Sequence, residues 1–399
     1  MKKIFIIYAT AGEGHKMAAV AIKTAFNELA PKDTQIELID ALEHTDNFFK
    51  SSYPAIYLFM VTYIPTIWGF FYYWLDAKWF YPLLKLVRRI VNTVHGRTLE
   101  KFLTESQPDV IVATHFLASE VAAELKRKNK IRSKLITCVT DFRMHSFWFA
   151  ENTDCFYVGF EETKIDLTKK WRFTPDRIRI FGMPISPKFE LVKNREAIQD
   201  SLGLAKGLFT VFVTSGGFGV GPILALVKSL IRMNMPIQIL VVCGHNEKLR
   251  DQINKLTAYP ASAGSRYRDN LQLTATVKTF GFIDYMDELM SVSDVIVTKT
   301  GGLICSEAIA KGLPLIITAP IPGQETRNAK LLLKHKAALK LKRPRQIKKI
   351  IQNIYSNQKE TSLLFEMREN IKSIRVQNSA LNIARAVTEA ANGRVCQGN

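Results

Sequence analysis

KIFIIYATAGEGH, residues 3–15, joins an apolar run to a glycine-rich loop that ends in a histidine. An apolar run without polar alternation is typical of a strand that is buried on both faces, as in a parallel sheet covered by helices. Glycines after such a strand let backbone N–H groups approach a bound anion at the start of the next helix. The stretch therefore predicts the first strand, the first loop and, from near Lys16, the first helix of a doubly wound α/β sheet.

Eleven further runs of the same kind follow along the chain, separated by segments long enough to form helices. They begin at Ile36, Asp109, Lys134, Asp154 and Arg177 and, after a break, at Phe209, Ile237, Thr276, Asp294, Leu313 and Ala337. Two series of parallel strands predict an α/β protein with two doubly wound, Rossmann-like domains that face a cleft.

The length of 399 residues also favours two domains, because one hydrophobic core rarely serves so long a chain. Residues 182–187, GMPISP, form a proline- and glycine-rich turn cluster at the break between the two series. We predict an N-terminal domain over residues 1–185 and a second domain over residues 186–360. In residues 361–399 we expect a C-terminal helix that packs back on the first domain.

The segment 51–75 carries no charged side chain and is rich in aromatic residues. Its length suits a transmembrane helix, but Pro54, Pro65 and Gly69 interrupt it. A span at this point would also separate the first strand from the rest of its own sheet. The segment therefore predicts a hairpin of helices that inserts into a membrane surface or lines an acceptor site.

The net charge of +19 is concentrated in two places. From Arg327 to Lys359 there are eleven Lys or Arg and no Asp or Glu. A second cluster follows the aromatic segment and consists of Lys85, Arg88, Arg89 and Arg97. Basic residues beside aromatic ones favour an anionic membrane surface as partner. Because no helix-turn-helix, zinc-finger or RNP motif accompanies them, we expect no nucleic-acid partner.

Two stretches of the first domain carry groups for acid–base chemistry. His15 stands at the start of a predicted helix, whose N-terminus lowers the pKa of an imidazole and keeps it able to accept a proton. Asp141, in VTDFRMHSFW at 139–148, ends a buried strand, where ligands bind in open α/β sheets. Arg143 and His145 could orient His15 or an acceptor. His15 and Asp141 are both candidate bases, and Gly14 shares the loop of His15.

Five turns of the second domain follow successive predicted strands and together predict a site for a diphosphate-containing ligand. Their candidate binding residues are Ser215, Gly216 and Gly217; Gly244 and Asn246; Phe282, Ile283 and Met286; Thr300, Gly301 and Gly302; and Gln324 and Glu325. Glu307 is the only carboxylate on the helix after the fourth turn and could accept hydrogen bonds from two ribose hydroxyls. The amide of Gln324 and the acid of Glu325 suit the hydroxyls of a sugar.

The sequence predicts neither a metal site nor a cofactor. The five cysteines include no C-x-x-C pair, and the chain contains no D-x-D motif of the kind that holds a metal-bound diphosphate. We therefore expect helix N-termini and backbone N–H groups to stabilise a leaving diphosphate.

Several of these motifs resemble those of the diacylglycerol glycosyltransferases, the bacterial processive glucosyltransferases and the plant monogalactosyldiacylglycerol synthases of glycosyltransferase family 28. They are the GEGH loop, VTDF with the following His145 and Trp148, VVCGHN at 241–246, and the stretch from Lys299 to Asn328 that contains KTGG, SEA, GLP and PGQE. The resemblance covers most of the chain. It implies a GT-B fold, a hexose transferred with inversion from UDP-glucose or UDP-galactose to a lipid hydroxyl, and a peripheral position on the cytoplasmic face of the cell membrane.

The resemblance also implies roles for individual residues. It places His15 at the reaction centre, Glu307 on the ribose, and Gln324 and Glu325 on the sugar. Relatives commonly differ at Thr300-Gly301-Gly302 and at His245, which leaves the donor sugar open. Four alternatives also remain: transfer of GlcNAc to a polyprenyl-linked acceptor, a UDP-sugar 2-epimerase, a non-catalytic membrane protein that senses UDP-sugars, and a nucleic-acid binder.

Overall fold

The structure of the protein is a computed structural model. It describes residues 1–10, 12–217, 219, 221–258, 275–356 and 362–394, without the side chains of residues 89–94. Contacts divide the chain into two compact units. Unit 1 comprises Met1–Glu190, Ile321–Asn328 and Val376–Asn399, and unit 2 comprises Leu191–Pro320 and Ala329–Arg375.

Unit 1 contains a six-stranded parallel sheet in the order β2-β1-β3-β4-β5-β6. Its strands are β1 (Lys2–Tyr8), β2 (Thr34–Asp40), β3 (Val110–Ala113), β4 (Lys134–Cys138), β5 (Cys155–Val158) and β6 (Ile178–Ile180). Its helices are α1 (Glu13–Leu29), α2 (Asn47–Tyr63), α3 (Pro65–Leu75), α4 (Tyr81–His95), α5 (Arg97–Ser106), α6 (Phe116–Arg127) and α7 (Glu161–Ile165).

Unit 2 contains a second six-stranded parallel sheet in the order β12-β11-β10-β7-β8-β9. Its strands are β7 (Phe209–Thr214), β8 (Ile237–Val242), β9 (Thr276–Phe280), β10 (Val295–Thr298), β11 (Leu315–Thr318) and β12 (Ala338–Leu341). The helices that follow Glu190 are α8 (Arg195–Ser201), α9 (Ile223–Ile231), α10 (Glu247–Ala258), α11 (Met286–Ser291), α12 (Gly302–Ala310), α13 (Gln324–Lys334), α14 (Ile347–Ser356), α15 (Leu363–Ile374) and α16 (Ser379–Ala391).

The twelve predicted strands are all present, and the prediction of two doubly wound sheets is confirmed. Strand β1 shows why its run from Ile4 to Ile7 is apolar throughout. Ile4 and Ile6 pack in one core cluster with α1 and α16, whereas Phe5 and Ile7 pack in another with α5 and α6. Both faces of the sheet are therefore covered by helices, so that none of these four positions calls for a polar residue.

Each sheet has one switch point, where the strand order reverses and where ligands bind in open α/β folds. In unit 1 the chain moves from β1 outward to β2 and then returns to β3 on the other side of β1. In unit 2 it moves from β7 through β8 to β9 and then returns to β10 on the other side of β7. The loops after β1, β3, β7 and β10 are thus the loops that the topology places at binding positions.

Two helical regions differ from their predicted form. Helix α1 begins at Glu13, ahead of Lys16, and its N-cap Gly12 has no side chain that could have marked the start. The C-terminal region forms two helices, α15 in unit 2 and α16 in unit 1. Helix α16 packs against α1 through residues such as Ile383 and Val387.

The aromatic segment forms α2 and α3, which meet at a bend of 115°. Among the described residues, neither helix alone has the length and apolar character needed to cross a membrane, but the bent pair together satisfies both criteria. Gly69 faces inward on α3. A Cβ on this residue would lie 2.5 Å from Cβ of Pro322. Glycine is therefore required for the close packing of α3 on the loop that contains Pro322.

Candidate active site and donor-binding loops

His15 lies in the loop and first turn after β1, at the switch point of unit 1. Its Nδ1 atom is 2.9 Å from the backbone oxygen of Thr114, in the loop after β3, and 2.9 Å from Oγ1 of Thr140. Because a carbonyl oxygen can only accept, Nδ1 carries the proton and donates it. The lone pair of the neutral ring is therefore on Nε2. Gly14, the preceding residue, is the second residue of α1.

Asp141 follows β4 by three residues and lies in the same unit as His15. Its Oδ2 atom accepts a hydrogen bond of 2.8 Å from Nε1 of Trp148. Burial raises the pKa of Asp141, while the Trp148 bond and the charges of His15 and Arg327 lower it. Burial lowers the pKa of His15, and the charge of Asp141 opposes this shift. The anion therefore favours the protonated form of the imidazole that the surroundings otherwise disfavour.

A second imidazole, His115, packs edge-on against His15 with ring centroids 4.6 Å apart. It is buried, and its Nδ1 accepts the backbone N–H of Leu117 at 3.2 Å. Burial and the nearby His15 hold the pKa of His115 well below its ordinary value. His115 is thus a neutral neighbour of His15, and the sequence analysis did not identify it.

Two residues that we expected to orient His15 or an acceptor have other partners. The guanidinium of Arg143 binds both carboxylate oxygens of Asp166, at 2.8 and 2.7 Å. The ring of His145 accepts the N–H of Phe147 at Nδ1 and donates from Nε2 to the backbone oxygen of Tyr72. Burial lowers the pKa of His145 to about 4, so that it remains neutral. These side chains fix the loop after β4 rather than take part in proton transfer.

Asp76 and Arg327 form an ion pair that the sequence analysis missed. Nη2 of Arg327 is 2.6 Å from Oδ2 of Asp76, and Nζ of Lys170 is 2.7 Å from the same oxygen. The guanidinium also lies over the rings of Tyr72 and Tyr73, at 5.1 and 5.2 Å from their centroids. One signal was available, because Asp76 is the only carboxylate between residues 51 and 99.

Gln324 and Glu325 belong by their contacts to unit 1, although they fall inside the predicted second domain. Glu325 is buried, and its Oε2 accepts the N–H of Ile321 at 2.9 Å. Asn328, on the next turn, accepts the N–H of Phe142 through Oδ1 at 3.2 Å. Burial raises the pKa of Tyr57, and the charges of Glu325 and Asp141 raise it further. Both carboxylates are therefore neighbours of one tyrosine in unit 1.

In unit 2, the loops after β7 and β8 pack tightly against each other. The first contains Ser215, Gly216 and Gly217, while Phe218 and Val220 lie outside the described residues. Gly244, in the second, has φ of +60°, and a Cβ there would lie 2.1 Å from the backbone oxygen of Gly217. The Oδ1 atom of Asn246 accepts the N–H of Leu249 at 3.0 Å and caps α10.

The loops after β9 and β10 complete the carboxyl edge of this sheet. Phe282 is exposed, and its ring stacks on His245 with centroids 4.4 Å apart; Ile283 follows it, and Met286 begins α11. Thr300 is buried beside the switch point, Gly301 is the N-cap of α12, and Gly302 begins that helix. Glu307 is a buried residue on the same helix. The residues predicted in the five turns, other than Gln324 and Glu325, thus lie on four loops of unit 2 and at the starts of α11 and α12.

Two family models match the chain. The model for monogalactosyldiacylglycerol (MGDG) synthase matches residues 15–185, and the model for the C-terminal domain of glycosyltransferase family 28 matches residues 210–383. The chain is 27% identical over 392 residues to the processive diacylglycerol beta-glucosyltransferase of Bacillus pumilus, covering 97% of this chain and 95% of that protein. It is 29% identical to the chloroplastic monogalactosyldiacylglycerol synthase of Spinacia oleracea, covering 88% of this chain and 65% of that protein.

The chain belongs to the diacylglycerol glycosyltransferase family. The family resemblance predicted from the motifs is therefore confirmed, as is the prediction of a hexosyltransferase.

Solved structures show that this family member has the GT-B fold. MurG of Acinetobacter baumannii aligns with a TM-score of 0.59 at 14% identity, over 98% of this chain and 100% of that one. MnaA of S. aureus, solved with UDP, aligns with a TM-score of 0.61 at 13% identity, over 100% of this chain and 99% of that one. At these identities the likeness concerns the fold alone, and the predicted GT-B architecture is confirmed.

Proposed function

We propose that this protein transfers a hexose from UDP-glucose or UDP-galactose to the hydroxyl of a diacylglycerol-type lipid at a membrane surface. The observation that carries the proposal is the fixed tautomer of His15. Its Nδ1 proton is held by the backbone oxygen of Thr114, which leaves Nε2 as a proton acceptor beside the loop of the first switch point.

The donor binds in this proposal at the second switch point. The glycine loop after β7 and the N-terminus of α12 present backbone N–H groups and the positive end of a helix dipole to the diphosphate. Glu307, on α12, accepts hydrogen bonds from the ribose hydroxyls. The absence of D-x-D from the sequence supports stabilisation of the leaving UDP by these groups alone, without a metal ion or cofactor. In the described part of the chain, no group of three His, Cys, Asp or Glu is placed to hold a metal.

The transfer itself is a single displacement that inverts the anomeric carbon. Nε2 of His15 takes the proton of the lipid hydroxyl as its oxygen attacks, and the bond from the anomeric carbon to the UDP oxygen breaks. Asp141 stabilises the imidazolium that forms, because its charge raises the pKa of His15. Gln324 and Glu325 hold the hydroxyls of the sugar.

The acceptor reaches the site along α2 and α3. Of the 21 large apolar side chains that are exposed in the described residues, 14 lie between Phe48 and Val87. Such a concentration is typical of an interaction surface, and the aromatic content suits a membrane interface. The inner face of α3 meets the loop that carries Gln324, since a Cβ on Gly323 would lie 2.9 Å from the ring of Tyr72. A lipid bound at α3 is thereby brought towards the sugar-binding residues.

The basic cluster after the aromatic segment contributes less to membrane binding than its composition suggested. Arg88 is mostly buried, pairs with Glu120 at 2.6 Å and donates to the backbone oxygen of Phe147 at 2.8 Å. Lys85 pairs with Glu151 at 2.5 Å, and the side chain of Arg89 lies outside the described part of the chain. We propose that the protein is held peripherally on the cytoplasmic face of the cell membrane, mainly by apolar contacts of the aromatic segment.

A labelling experiment tests this function. The purified protein is incubated with radiolabelled UDP-glucose, UDP-galactose or UDP-GlcNAc and with vesicles that contain diacylglycerol or a polyprenyl phosphate, with and without EDTA. We expect the labelled hexose in the diacylglycerol fraction, in an amount that EDTA does not change. NMR should show that this hexose is β-linked. Label in the polyprenyl fraction, epimerised UDP-sugar, or UDP binding without any product would each identify a different function. Loss of transfer in EDTA that Mn²⁺ restores would contradict the metal-independent mechanism.

A further inference from the structure

A cavity of about 350 Å³ lies in unit 2 at the amino edge of its sheet, away from the loops assigned to the donor. Its walls are formed by the end of α11, by the turn between α12 and β11, by α15 and by the start of α8. A single water occupies roughly 30 Å³ in the liquid, so that the cavity has room for a small organic anion.

The charged side chains that line this cavity are all basic: Arg195, Lys311, Arg368, Lys372 and Arg375. Their proximity is reflected in Lys311, whose pKa is lowered by burial and by the charges of Lys193 and Arg375, against the opposing charge of Asp287. The Nε atom of Arg375 is buried and has no hydrogen-bond partner in the described part of the protein. A buried guanidinium N–H without an acceptor is a costly arrangement, and a bound anion would satisfy it.

Carboxylates compensate only part of this charge. Asp294 accepts from Nη2 of Arg195 at 3.2 Å and lies 3.9 Å from Nη2 of Arg368. Glu369 pairs with Lys372 at 2.5 Å, and the Nζ of Lys311 donates to the backbone oxygen of Leu191 at 2.8 Å. The C-terminal ends of α11 and α12 also face this region, and two helix ends carry the equivalent of about one negative charge. The five cations therefore outnumber the two carboxylates that pair with them, Asp294 and Glu369, and the cavity keeps a net positive charge that suits a phosphate group.

We infer that this cavity is a second ligand site, which binds a phosphate or diphosphate group through Arg368, Arg375 and Lys311. Arginine pairs offer bidentate donors to phosphate oxygens, and Lys311 adds a compact charge. The site is separate from the glycine loops at the carboxyl edge of the same sheet, and it does not depend on which sugar or lipid the protein uses. The phosphate could belong to a soluble metabolite or to the headgroup of an anionic lipid.

The test uses the full chain and inorganic diphosphate as probe, titrated calorimetrically with saturating UDP present so that the donor loops are occupied. Arg368→Ala/Arg375→Ala removes two cations from the cavity, and Lys348→Ala/Lys349→Ala removes two from the exposed face of α14 as a matched control. We expect the first variant to bind diphosphate at least ten-fold more weakly and the second to bind it like the parent protein. Equal loss in both variants, or no saturable binding by the parent, would overturn the inference.

Two further arms complete the experiment. Because the paired arginine variant could unfold, Lys372→Glu is compared with Lys348→Glu; both residues are exposed, and only the first is expected to weaken diphosphate binding several-fold. Vesicles of phosphatidylcholine with phosphatidate are then sedimented with each variant. Vesicle binding that falls with Lys372→Glu but not with Lys348→Glu identifies a lipid headgroup as the source. Vesicle binding that is equal in both, with diphosphate binding still selective, identifies a soluble phosphate.

Discussion

The two switch points of the molecule differ in the types of residue that form them. At the first, between β1 and β3, three ionisable side chains meet or neighbour one another: His15, His115 and Asp141. At the second, between β7 and β10, the loops consist largely of glycine, and Gly244 packs so closely on Gly217 that no side chain fits. The same topology therefore supports proton chemistry in unit 1 and backbone recognition of an anion in unit 2.

This difference separates two kinds of effect that a mutation can have. A base acts only as the transition state forms, so its loss lowers the rate and leaves ground-state binding nearly intact. Backbone N–H groups hold the diphosphate before and during the reaction, so a distortion of the glycine loops lowers binding first. Predictions for the two units can therefore be made independently.

The largest effect is expected from His15→Ala. Removal of a general base typically costs about 10²–10⁴-fold in rate. We expect kcat to fall at least about 100-fold while the dissociation constant of UDP changes less than about two-fold. Steady-state kinetics and calorimetry measure the two quantities, and Lys16→Ala, on the exposed side of the same turn, serves as the control. If Asp141→Asn is far more damaging than His15→Ala, the base is Asp141.

A second contrast concerns the surfaces of the two units. Phe70 and Trp79 are 68% and 71% exposed in unit 1, and Phe365 is 45% exposed in unit 2. Burial of one aromatic side chain in an apolar phase contributes roughly 1.5–3 kcal/mol. We expect Phe70→Ser/Trp79→Ser to weaken vesicle binding about ten-fold or more in a flotation assay, and Phe365→Ser to leave it unchanged. Equal effects would mean that membrane contact is not confined to the aromatic segment.

In unit 2, Gly244→Ala tests the glycine loops. Its new methyl group meets the oxygen of Gly217, and its φ of +60° is unfavourable for alanine. Gly207→Ala has a similar φ of +78° but open space, so it controls for backbone strain alone. We expect UDP binding to weaken about ten-fold in Gly244→Ala and little in Gly207→Ala. UDP titrations measure both, on samples whose circular dichroism spectrum matches that of the parent protein. Comparable UDP binding in both variants would show that the contact between Gly244 and Gly217 is not needed for donor binding.

The smallest effect is a shift in pH dependence. Burial lowers the pKa of His15, so kcat/KM should stay level through neutral pH and fall only as acid protonates the ring below its ordinary range. The charge of Asp141 raises this pKa. In Asp141→Asn the acid limb should therefore move to lower pH, while the remaining activity at neutral pH keeps its dependence on His15. An unmoved limb would show that the titrating group is not coupled to Asp141.

The twelve strands could be predicted from the sequence because both faces of each sheet are covered. The resulting apolar runs can be recognised locally, without knowing which distant residues they contact. Helix α1 begins earlier than the sequence predicts, because Gly12 offers no capping side chain to mark its start.

Long-range pairs set the limit of prediction within the site. His145 and Arg143 have polar side chains beside Asp141, but their partners, Tyr72 and Asp166, are 73 and 23 residues away. The pairing of Asp76 with Arg327 joins residues 251 positions apart. A local motif shows that such groups are present, whereas the contacts that occupy them depend on the folded chain.

Helix α16 has a consequence for how the protein is made. It covers the apolar face of α1, where Ile22 and Phe26 pack with Ile383 and Val387. The ion pair of Asp76 likewise requires Arg327, which is synthesised late. While the ribosome is still translating, the first sheet therefore stands with one side uncovered, although it was synthesised first. The unit that carries the proposed catalytic histidine is completed last, and a chain truncated before Ser379 should expose this face to aggregation rather than leave a functional first half.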